Sequence, residues 1–105
     1  MATLYVSEYK QIATCQNQQN YAPVPAQAAQ EPSLADQTIA ISGSSTQSAA
    51  FNNQTTLIRV HTDAICSIAI ATNPTATTST KRMAANTTEY FGVNGTQKIA
   101  VITNV

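Results

Sequence analysis

The sequence predicts an all-β domain: an antiparallel β-sandwich or jelly-roll-like fold with an extended N-terminal arm or loop. Three observations carry this. From Thr56 to Val105 apolar and polar residues alternate with the period of a strand. These runs are short, rich in Val, Ile and Thr, and bounded by turn residues. No segment keeps a helical period, so six to eight strands are expected in one domain spanning 1–105.

In chain order, Thr3-Leu4-Tyr5-Val6-Ser7 is β-prone and reads as the first strand, with Leu4 and Val6 on one side. The alternation then stops. Residues 10–36 hold a Gln/Asn tract, Tyr21-Ala22-Pro23-Val24-Pro25, and an Ala/Gln tract closed by Pro32. Pro25 and Pro32 leave room for no more than one helical turn between them. A segment of this length without structure is uncommon inside a domain. It therefore reads as an arm or long loop, and proline-stiffened chain loses less entropy when it docks on a partner.

The main β block is 37–105. Gln37 to Ser42 alternates around Ile39 and Ile41, and Phe51 reads as a core anchor. Leu57 to Thr62 sets Ile58 and Val60 against Leu57, Arg59 and His61, and a bend at Thr62-Asp63-Ala64 follows. Ile65 to Thr72 sets Cys66, Ile68 and Ile70 against the small residues Ser67, Ala69 and Ala71, a face open to close approach by another surface. Asn73-Pro74 begins a long Thr/Ala/Ser loop reaching Asn86. Thr88 to Val93 and Gln97 to Thr103 read as strands joined at Asn94-Gly95 by a type I′ hairpin turn, with Tyr90 in the core.

Composition narrows the function. Charged residues make up 10% of the chain, against about 25% in ordinary domains. Net charge is zero. A neutral surface of Thr, Ser, Asn, Gln and Ala suits a subunit covered in an assembly. There is no basic excess to neutralise phosphates, which argues against nucleic acid. No apolar run approaches the roughly 20 residues of a spanning helix, which argues against a membrane role. The opening residues lack a signal-peptide pattern, so the chain reads as made and kept in a cytoplasm. Of the two cysteines, Cys66 is expected as a buried free thiol.

No constellation recommends catalysis. His61 is the sole His, the carboxylates Glu8, Glu31, Asp36, Asp63 and Glu89 are scattered, and the three Gly are isolated. Neither a metal site nor a cofactor is expected, and the chain reads as no enzyme. Four Tyr and no Trp are a thin inventory for sugar platforms.

The run Arg59-Val-His-Thr-Asp-Ala-Ile-Cys-Ser-Ile-Ala-Ile-Ala-Thr-Asn-Pro-Thr-Ala, followed by Arg82-Met-Ala-Ala-Asn, Glu89-Tyr-Phe-Gly-Val and Lys98-Ile-Ala-Val-Ile, resembles small virion proteins of tailed bacteriophages, of the head decoration or cement kind. The resemblance covers about the second half of the chain, and its motifs are structural. It implies a virion component on the capsid surface, made in the host bacterial cytoplasm, with the major capsid protein as partner and a dimer or trimer as its form. A head–tail junction or tail component, or a carbohydrate-binding module of a fibre, are the alternatives. Candidate contact residues are Tyr21, Pro23, Val24 and Pro25 in the arm, and Arg59 and His61 on the exposed face of their strand.

Overall fold

A computed structural model describes residues 2–16, 23–29 and 31–104, with the backbone alone described for 12–16 and 23–29. Ten strands run in chain order: β1 Thr3–Tyr9, β2 Ile12–Gln16, β3 Pro23–Ala29, β4 Ala35–Ala40, β5 Thr46–Gln47, β6 Leu57–Thr62, β7 Cys66–Ala71, β8 Lys81–Met83, β9 Thr87–Gly92 and β10 Lys98–Thr103. The described residues contain no helix. Eight strands form two four-stranded sheets, β4-β1-β6-β9 and β5-β10-β7-β8, and β2 pairs only with β3. Every pairing is antiparallel.

The order of strands is that of a jelly roll cut at an unusual place. In an eight-strand jelly roll the sheets run 1-8-3-6 and 2-7-4-5. Here β4 to β10 supply the first seven strands in sequence, and β1 occupies the place of the eighth. The chain therefore enters the fold at its last strand, between β4 and β6. Register holds it there: Leu4 stands opposite Ile39 on one side and Thr62 on the other, and Val6 opposite Gln37 and Val60.

Alternation explains why the sheets face each other. Leu4, Val6, Ile39, Ile58 and Val60 from the first sheet meet Cys66, Ile68, Met83, Ile99 and Val101 from the second in one cluster with Phe51. Each fully buried aliphatic side chain contributes about 1.5–3 kcal/mol. Cys66 is a free, buried thiol as expected, and its Sγ–H donates to Thr62 Oγ1. Burial pushes its pKa up.

The inward position at the end of β1 is a carboxylate. Glu8 follows Leu4 and Val6 in alternation and is 2% exposed. Its Oε1 accepts from Asn52 N–H at 2.7 Å and Thr55 Oγ1–H at 2.9 Å, and its Oε2 from Gln37 Nε2 at 3.0 Å. This carboxylate ties β1, β4 and the loop after Phe51 into a plug at one end of the sandwich. In a chain with so few charges, its value as a structural acceptor was not legible from spacing.

The small face of β7 is covered by the chain itself. Residues 73–80 lie over this sheet, pinned on both flanks. Gln47 Nε2 donates to Asn73 Oδ1 and Pro74 O, Ala76 N–H to Ser45 Oγ, and Asn104 Nδ2 to Thr78 O. Beneath, Ser67 and Ala100 have no exposure, and Ala76 in the loop has 2%. Small side chains let backbone approach the sheet closely.

Two expectations are corrected. The β9–β10 connection is no hairpin, because β9 pairs with β6 and β10 with β7 and β5, so the chain changes sheet at Asn94-Gly95. Gly95 does not have a positive φ, whereas Thr96 does, at 70°. Glycine is required there for space, since a Cβ at Gly95 would collide with the Asn53 carbonyl oxygen. The 10–36 segment, expected as an arm or long loop, carries regular structure of its own. It contains a hairpin with Pro23 opposite Gln16, Val24 opposite Cys15 and Pro25 opposite Thr14. Both prolines share one parity, so their missing N–H groups can fall on the unpaired edge, where proline is tolerated. Secondly, Tyr90 is not core: it is 55% exposed, and its neighbour Phe91 points inward.

Candidate functional site

With one sheet covered by the 73–80 loop, the outer face of β4-β1-β6-β9 is the open one. Residues of odd parity on β1 and β6, and of even parity on β4 and β9, project there. Cross-strand pairing arranges them in rows. One row runs Thr38–Tyr5–His61–Thr88, and the next runs Asp36–Ser7–Arg59–Tyr90. A shallow groove along these rows is lined by Tyr5, Ser7, Asp36, Thr38, Arg59 and His61.

Tyr5 is 44% exposed, and with Tyr90 it accounts for the exposed large hydrophobics among the described residues. The Tyr5 and His61 rings lie 6.2 Å apart and are tilted by 44°. His61 Nδ1 shares a hydrogen bond with Thr88 Oγ1 at 2.8 Å, fixing the imidazole across the strand. Asp36 accepts from Ser33 Oγ with both carboxylate oxygens at 3.1 Å. Arg59 is half-buried, and among the described residues no hydrogen bond or ion pair engages its guanidinium.

At the groove's end Tyr9 closes the face. Its OH donates to Glu31 Oε2 at 3.1 Å, and burial together with that bond raises its pKa. On another side of the sandwich, Lys81 Nζ stands 6.0 Å from the Phe91 ring centre, over the gap between the β8 and β9 edges.

The expected contact residues divide into two places. Arg59 and His61 lie together in the open face on β6. Pro23, Val24 and Pro25 lie on β3 of the hairpin, in a separate sheet, and Tyr21 is outside the described residues. Tyr5 and Tyr90 were missed. Their signal was present, because Tyr5 alternates with the inward Leu4 and Val6, and Tyr90 with Phe91. Among the described residues no cluster of His, Cys, Asp and Glu could hold a metal. Among the described residues no helix is long and apolar enough to cross a membrane. No protein-family model, curated protein or solved structure matches this chain.

Proposed function

We propose that this chain is a bacteriophage capsid decoration (cement) protein, which binds the outer head shell as a dimer or trimer and stabilises contacts between major capsid protein subunits. The observation that supports the reading is where the β2–β3 hairpin is inserted. It connects β1 to β4, two adjacent antiparallel strands with Glu8 opposite Ala35. A short turn would close that connection, and among the described residues β2 and β3 pair only with each other, adding no strand to either sheet of the sandwich. The molecule is drawn out to 53 × 26 × 22 Å. An appendage outside both sheets, on a neutral body with few charges, suits attachment to a lattice of other subunits.

Deletion of Gln16 to Gln30 tests this. The variant is expected to keep the far-ultraviolet spectrum and cooperative unfolding of a β-sandwich while losing attachment to head shells in co-sedimentation. Unchanged attachment would remove the hairpin from the interface. Quantitative mass spectrometry of purified virions places the subunit: a copy number near that of the shell protein fits decoration, and a few copies would move it to the neck or tail.

A further inference from the structure

We propose that the outer face of the β4-β1-β6-β9 sheet is a binding site for an oligosaccharide that carries a carboxylate. This goes beyond attachment to a shell and rests on the open sheet face, where Arg59 and His61 lie, and not on the hairpin.

The first argument is the placement of aromatic surface. In a chain with six Phe and Tyr residues and no Trp, the two exposed rings among the described residues, Tyr5 and Tyr90, lie on one face. They flank β6 from either side and are displaced by two residues along it. Strand spacing and rise put their Cα atoms about 12 Å apart on the diagonal, a span suited to two non-adjacent rings of one oligosaccharide. A tyrosine ring offers its flat face to the C–H face of a pyranose and its hydroxyl to the solvent edge.

The second argument is charge. Arg59 lies between the two tyrosines, opposite Ser7 on β1 and Tyr90 on β9. Its guanidinium engages none of the described residues. Asp36 is two strands away and already accepts from Ser33. An open, half-buried guanidinium is a bidentate receptor for a planar carboxylate.

The third argument is the character of the surface between them. Thr38, Thr88 and the His61 ring supply short polar groups in register with Tyr5. His61 is held through Nδ1 and has no described partner at Nε2. Such a face matches a hydroxyl-rich ligand. A chain of zero net charge lacks the basic field that nucleic acid requires.

The test is an array of neutral, uronate-bearing and sialate-bearing oligosaccharides probed with the intact protein, followed by NMR titration of any that bind. The expected result is binding to a carboxylate-bearing saccharide, with shifts at Tyr5, His61 and Tyr90. Carboxyl reduction of the sugar and Arg59→Gln are each expected to weaken it about tenfold or more. Tyr90→Ala, on an edge strand, is expected to weaken it without altering the melting temperature. That variant keeps the test decisive if Arg59→Gln is unstable. Equal binding of the carboxyl-reduced sugar overturns the role of Arg59. Full competition by poly-glutamate, showing an acidic peptide site, overturns the saccharide. Absence of binding to every acidic saccharide at millimolar concentration overturns the site. Saccharide binding by the Gln16 to Gln30 deletion variant is expected to be unchanged, which separates this proposal from the decoration reading.

Discussion

Gln37 donates its side-chain N–H to Glu8 Oε2 over 3.0 Å, joining two adjacent strands inside the sandwich. The same amide also bridges to Ala49, whose N–H donates to Gln37 Oε1 at 3.1 Å. The Glu8 carboxylate thus accepts from three donors, of which the Thr55 hydroxyl is buried. Glu8→Ala is expected to lower stability by about 3 kcal/mol. That corresponds to a melting temperature about 10–20 °C lower. Glu8→Gln preserves the shape but sets an amide N–H against one of the donors, for an expected loss of about 1–2 kcal/mol. Thermal unfolding of both variants checks the order.

The Asn53 carbonyl leaves no room for a side chain at position 95. Gly95→Ala is therefore expected to cost about 1–3 kcal/mol by overpacking. Gly43→Ala is the control, because a methyl group there would meet nothing within 4 Å. It is expected to change stability by less than about 0.5 kcal/mol. Urea denaturation of the pair distinguishes a steric requirement from a general intolerance of substitution.

Stability is expected to fall on the alkaline side. Burial raises the Cys66 pKa, and burial with the Glu31 contact raises that of Tyr9. In the unfolded chain these groups ionise near pH 9.0 and 10.0, before they do in the folded protein. Between the unfolded and folded values the unfolded chain has lost a proton that the native state keeps, so its population grows. The contribution is complete below about pH 8 and declines from about pH 9 upward. Melting curves from pH 7 to 11 check this. Cys66→Ala is expected to flatten the first part of the decline and Tyr9→Phe the later part.

The loop over the second sheet makes Ala100 a position of fixed size. Ala100→Leu is expected to lift residues 73–80 and to destabilise by about 1–3 kcal/mol. Gln47→Ala removes the bonds to Asn73 and Pro74 and is expected to loosen the loop with a smaller loss. Limited tryptic digestion reads both, since the exposed Lys81 and Arg82 follow the loop directly. Faster cleavage there than in the parent protein is the expected result.

Much of this fold was legible where one strand carried one pattern. Leu57 to Thr62 has the predicted bounds and faces, because strict alternation leaves a single register that buries Ile58 and Val60. Where two readings of local chemistry competed, tertiary structure decided. Asn94-Gly95 has the composition of a tight hairpin, yet the glycine serves a close approach to Asn53 that no local pattern encodes. The strand Lys81–Met83 was hidden because two of its three residues are exposed charges at a sheet edge. The small residues of β7 correctly signalled a close neighbour. That neighbour is a loop of the same chain, which leaves the opposite sheet as the open face. There Arg59 and His61 were identified from their side of β6, but Tyr5 and Tyr90 required the pairing of three strands to be known.

Placing β1 in the eighth position of the jelly roll determines where both chain ends leave the body. Ile41 N–H donates to Ala2 O at 3.0 Å, and Thr103 N–H to Ser42 O at 2.9 Å. Asp63 and Ile65, in and beside one bend, bond to Thr3 and Asn104. Ala2 and Asn104 therefore share one end of the sandwich, and the hairpin departs from the other, about 20 Å away along β1. The subunit has two poles. A peptide fused at either end would stand on the pole away from the hairpin, so a body anchored by the hairpin would carry that cargo facing outward. Epitope tags or whole domains could then be displayed without touching the strand pairing that holds the fold.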